Sequence, residues 1–96
     1  MIKKDIVENV VSSTGMSKTE VENVINTALY EIGASLVKGE NVYLRGLGTF
    51  KIVVRAEKIA QNVHKHTSVV VPAHKAISFV PSIKLAERVS SLNVKK

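Results

Sequence analysis

At 96 residues and 10.5 kDa the chain has room for one small domain, of a size that buries only about 60 to 65% of its unfolded surface. Hydrophobic residues are 45% but aromatics only 4%, and cysteine is absent, so Val, Ile and Leu must build a small core without disulfide or thiolate-metal staples. The formal charge of +6 is unevenly spread: residues 1–40 carry four Lys against six acids, residues 41–96 ten Lys or Arg against two, which points to one polyanion-facing surface and makes a partner subunit the expected staple.

Met1-Ile2-Lys3-Lys4-Asp5 opens an amphipathic pattern instead of a signal-peptide apolar stretch, and no run approaches the roughly 18 apolar residues of a membrane span, so a soluble, untargeted chain without a membrane partner is expected. Ile2, Ile6, Val7, Val10 and Val11 recur at helical spacing, with Asp5 and Glu8 in the first turns where the helix dipole favours acids; this predicts a helix over about 3–14. Gly15 supplies a left-handed terminus. Ser17-Lys18-Thr19-Glu20 is a capping box opening a second helix over about 18–38, whose apolar residues run from Val21 to Val37. That second helix carries more apolar surface than the first can cover.

After Gly39 the period switches to two. Val42 and Leu44 alternate with Tyr43 and Arg45, and Gly46-Leu47-Gly48 makes a tight turn into Phe50, Ile52 and Val54 alternating with Lys51, Val53 and Arg55, basic residues outward. Residues 56–68 match neither period and are read as the tip of a long hairpin. Val69-Val70-Val71-Pro72 returns from it, with Pro72 demanding an edge or a bulge; Lys75 to Val80 rejoins the sheet and Pro81-Ser82 breaks it. Ser82 caps a short helix near 83–89, and the tail from Ser90 to Lys96 is expected to fray.

The order ααβββα resembles the HU/IHF family of bacterial histone-like DNA-bending proteins. The residues that carry the resemblance are the N-terminal helix pair, Arg45-Gly46-Leu47-Gly48-Thr49-Phe50, Arg55-Ala56, Asn62, Pro72-Ala73-His74-Lys75 and Phe79, across nearly the whole chain without a gap. The family's usual Gly-Phe-Gly turn reads Gly46-Leu47-Gly48 here. The resemblance implies an α+β fold in one domain over 1–96: a helical dimerisation half (1–40), a three-stranded antiparallel sheet with a long protruding β-arm (41–81) and a C-terminal helix (82–90), intertwined with a second subunit. It further implies an architectural protein of the bacterial cytoplasm, associated with the nucleoid, whose arms enter the minor groove of double-stranded DNA, bend it and condense it with little sequence specificity. The partner subunit would be a second copy or a related chain.

Phosphate contact needs Lys and Arg on a common surface, and Lys51, Arg55, Lys58, Lys65 and Lys75 lie on or beside the arm strands with only Glu57 opposing; Arg45 stands at the turn. Lys3, Lys84 and Arg88 are candidates for a flanking track on the body. Where the family typically carries Arg-Asn-Pro at the arm tip, this chain reads Gln61-Asn62-Val63: Val63 is a stiff apolar wedge without the proline ring, and Gln61 replaces a cation with an amide. His64 and His66 add imidazolium charge below about pH 6.5. His64, His66 and His74 lack the Cys or acids that would complete a metal site, so neither metal nor cofactor is expected, and without a carboxylate pair, nucleophile elbow or phosphate loop no catalytic residue is expected. Two other functions use the same residues: an RNA-binding protein presenting the basic ribbon, and a protein-interaction module on this fold.

Overall fold

The computed structural model describes residues 1–62 and 67–92. Helix α1 (Lys3–Thr14) ends on Gly15 at φ 75°, where glycine adopts the left-handed conformation without a Cβ penalty. Its start is fixed by Asp5, whose carboxylate accepts the Ile2 backbone N–H at 2.8 Å. Helix α2 (Lys18–Val37) opens on one half of the expected capping box: the Ser17 hydroxyl accepts the Glu20 N–H at 3.2 Å, and the Glu20 carboxylate does not return the bond. The two helices meet through Val7 and Val21, the fully buried core residues, at 2% and 1% exposure.

Strands β1 (Val42–Leu44), β2 (Gly48–Arg55) and β5 (His74–Pro81) form an antiparallel sheet in the order β1-β2-β5. Strands β3 (Lys58–Asn62) and β4 (Thr67–Val71) form a separate two-stranded ribbon, the arm. Helix α3 (Ile83–Ser90) follows with Ser82 as its cap. The three helices, the antiparallel sheet and the protruding arm are the expected α+β architecture.

Three local expectations are corrected. Residues 58–62 and 67–68 are paired strand, so about half of the stretch read as a tip belongs to the ribbon, while Val69–Val71 returns along it as expected; Ile59 pairs with Val70 across it although the residues around Ile59 obscure the period. Pro72 occupies neither an edge position within a strand nor a bulge. It lies with Ala73 between β4 and β5, opposite Ala56-Glu57, so both strands lapse at the same level and the arm becomes a sheet of its own. Pro81 does not break the sheet but is its last rung, paired with Gly48; there it stands at an edge strand, where a missing N–H is tolerated. The tail beyond Leu92 lies outside the described residues, whereas Ser90 completes α3 and Ser91 caps it.

The radius of gyration is 18.7 Å, against about 12 Å for a compact chain of this length. The accessible surface is 8297 Å², against about 5,400 Å² for a compact monomer of this mass. Part of the excess is the arm. Part is apolar: Val24, Leu29, Tyr30 and Val37 of α2 and Ile77 and Phe79 of β5 are all exposed on the single chain. Open apolar surface on this scale is what an obligate dimer interface covers.

Candidate nucleic-acid interface

Cross-strand partners share a sheet face and neighbours alternate, so the register sorts the side chains. Val42, Phe50, Ile52 and Val54 lie on one face with Phe79, Ile77 and Lys75 of β5. This face turns toward the end of α2, where Gly33, Leu36 and Val37 line a cleft with Ile52, Ile77 and Lys75. Tyr43, Thr49, Lys51, Val53 and Arg55 lie on the other face with Val80, Ser78, Ala76 and His74. Lys51 pairs with Ser78 and Arg55 with His74. The second face is therefore cationic and hydroxylic, directed away from the helices, and contains no carboxylate.

The backbone of this sheet is pinned at two places that the periodicity does not reveal. Asn41 Oδ1 accepts the Ile52 N–H at 2.9 Å, tying the approach to β1 onto β2. The Ser82 N–H donates to the Leu47 carbonyl at 2.9 Å and its hydroxyl to the Gly46 carbonyl at 3.3 Å, tying the start of α3 onto the tight turn.

The second tie brings distant cations together. Arg45, Lys84 and Arg88 line one cleft of about 520 Å³ with Ser82, Ile83 and Leu85. Arg45 thus belongs with the body residues Lys84 and Arg88 and not with the arm. Lys3 is elsewhere: its ammonium donates to Asn26 Oδ1 of α2 at 2.8 Å, linking the two helices. Lys75 lies on the helix-facing side of the sheet, apart from Lys51 and Arg55.

On the arm, Lys58 pairs with Val71, Gln61 with Ser68 and Asn62 with Thr67; Lys58 and Gln61 are exposed. Val63, His64, Lys65 and His66 lie outside the described residues. His74 stands where the arm joins the sheet, its Nδ1 3.0 Å from the Pro72 carbonyl oxygen. Exposed Tyr43 shares the cationic face and was not singled out from sequence; its alternation with the apolar Val42 and Leu44 of β1, in step with Thr49 and Lys51 across the ladder, was the available signal.

The chain matches the family model described as bacterial DNA-binding protein over residues 1–90. It is 30% identical over 89 residues to the DNA-binding protein HU of Thermotoga maritima, covering 93% of this chain and 99% of that one. It is 29% identical over 96 residues to integration host factor subunit alpha of Aliivibrio fischeri, covering 100% of this chain and 98% of that one. In structure it superposes on the HU of Anabaena, solved as a cocrystal with DNA, with a TM-score of 0.86 at 24% identity over 96% of this chain and 100% of that one; this likeness concerns the fold.

Proposed function

Because the chain belongs to the bacterial DNA-binding protein family of HU and integration host factor, we propose that it is an architectural, nucleoid-associated protein that binds double-stranded DNA as a dimer and bends it. The observation that carries this reading is the position of Lys51 and Arg55 on the sheet face turned away from the helices, on the strand that leads into the arm. Each phosphate these cations neutralise releases condensed counterions, giving affinity without sequence information. Arms that follow the minor groove then hold the duplex against the sheet, and neutralising one side of it favours curvature toward the protein. The dimer contains two copies of this chain or one copy with a related subunit, and the open apolar surface of α2 and β5 is its interface.

Gln61-Asn62-Val63 stands where the family typically carries Arg-Asn-Pro. An amide in place of a guanidinium brings no charge into the negative groove, and valine wedges a base step without a ring that fixes its backbone. We infer a gentler kink than an arginine-proline tip produces, with the remainder of the bend coming from phosphate neutralisation along the sheet.

End-to-end fluorescence transfer on a duplex of about 35 base pairs, titrated with protein at several salt concentrations, separates binding from bending. Wild type should bind with a steep salt slope and shorten the duplex, and Val63→Ala should bind while bending less. Equal bending by both removes the wedge from the reading. Failure of wild type to bind duplex at low salt removes DNA binding itself.

A further inference from the structure

The arm has two free strand edges, and they differ. β3 carries Lys58 at its start, preceded by Glu57. β4 reads Thr67-Ser68-Val69-Val70-Val71: four of its five residues have strong β preference, and none is charged or a proline. Its Val69 and Val70 are 51% and 58% exposed. Edge strands in soluble proteins are normally blunted by charges, proline or extreme shortness, because their unpaired N–H and C=O groups template further pairing. The other edges follow that rule: β1 has three residues, and β5 holds His74, Lys75 and Pro81. Among the described residues β4 is the one edge of more than three residues with neither a charge nor a proline within it, Pro72 standing just past its end.

We propose that this edge pairs with β4 of a second dimer when DNA is absent, joining two dimers arm to arm. The strand is self-complementary. An antiparallel pairing centred on Val69 sets Val69 against Val69, Ser68 against Val70 and Thr67 against Val71, with neither an opposed charge nor a steric mismatch. The arm stands clear of the body, so two ribbons meet edge to edge without bringing the bodies together. The net charge of +6 per chain opposes the approach, so salt strengthens the contact by screening. DNA binding has the opposite salt dependence, and a duplex that takes the arm into its groove covers the same edge. The competition with DNA rests on the proposed function; the pairing does not.

Sedimentation of the full-length protein without DNA at about 0.1 M and about 1 M salt tests the pairing, these being concentrations at which the Debye length falls from about 10 to about 3 Å. The expected result is a dimer at low salt and a growing tetramer at high salt. Val69→Lys, which places like charges opposite each other at the centre of the pairing, should weaken the tetramer at least about tenfold. Its thermal unfolding should match wild type, because Val69 is outside the body. A wild type that stays dimeric at both salts overturns the proposal and leaves the groove as the cover for this edge; so does a tetramer that Val69→Lys does not weaken. Added duplex should disperse the tetramer into DNA complexes. A tetramer sensitive to Val69→Lys in a protein that never binds duplex would uphold the arm pairing while sinking the DNA-binding reading.

Discussion

The rings of Phe50 and Phe79 stand opposite each other across the β2–β5 ladder, their centroids 5.0 Å apart and their planes inclined by 48°. This tilted pair is the aromatic contact of the sheet's helix-facing side, and the backbone beneath it must come close. At Gly48 a Cβ would lie 2.5 Å from the Val80 carbonyl oxygen and 2.7 Å from the Phe79 ring. Gly48→Ala should therefore destabilise the fold by about 2 to 4 kcal/mol, since backbone and a packed ring must both shift. Gly15→Ala meets open space and carries only the cost of its left-handed φ, about 1 kcal/mol. Urea unfolding midpoints of the two variants should rank in that order.

Lys51 and Lys75 have the same charge and lie on strands that pair with each other, yet they occupy opposite faces. If the face bearing Tyr43, Lys51 and Arg55 lies against DNA, Lys51→Ala and Arg55→Ala should each lower the salt slope of duplex binding by about 1 per subunit. Lys75→Ala should leave it nearly unchanged. Tyr43→Ala should weaken binding at all salts without altering the slope, because a phenol contributes no counterion release. Fluorescence anisotropy at a series of salt concentrations reads all four variants, and a Lys75 effect as large as that of Lys51 would refute the assignment of faces.

The helices were legible from sequence because their signals are local. Ser17 and Ser82 cap where a hydroxyl precedes an apolar repeat, and Gly15 ends α1 where only a residue tolerant of positive φ fits. The arm was less legible, since a ribbon exposed on both faces carries no alternation: Ile59 and Val70 point to one side, Val69 and Val71 to the other. Without alternation β3 and the start of β4 read as a tip, while the run Val69–Val71 still read as strand. The face of Lys75 was legible within β5 itself, where it alternates in step with the apolar Ile77 and Phe79; its charge alone argued for the opposite face. Arg45 meeting Lys84 and Arg88 depends on contacts between residues some forty positions apart, made through Ser82 and the turn carbonyls. Such convergence is a property of the fold and leaves no local trace.

Val24, Leu29 and Val37 remain exposed on the single chain, and among the described residues its fully buried hydrophobic core is as small as Val7 and Val21. The folded state should thus be inseparable from its dimer. Thermal unfolding followed by circular dichroism at increasing protein concentration should show a rising midpoint, as mass action requires when only the associated form is folded. A midpoint independent of concentration would mean that the single chain stands alone.

Ser82 serves two structures at once, accepting the Leu85 N–H at 3.1 Å to start α3 and donating to the Gly46 carbonyl at 3.3 Å to hold the turn against it. Ser82→Ala loses both and should cost about 1 kcal/mol of stability, the usual worth of a helix cap. Ser82→Asp separates stability from binding. Aspartate caps about as well as serine and complements the helix dipole, so the share lost with the cap should return, whereas the tie to the Gly46 carbonyl, which needs a donor, should not. It also sets an anion among Arg45, Lys84 and Arg88, whose cleft Ser82 lines. If that cleft takes a phosphate of the flanking duplex, Ser82→Asp should bind DNA several-fold more weakly than Ser82→Ala despite being the more stable protein. Equal affinities for the two variants, measured at low salt, would remove the cleft from the interface and leave the sheet face and the arm to carry the duplex.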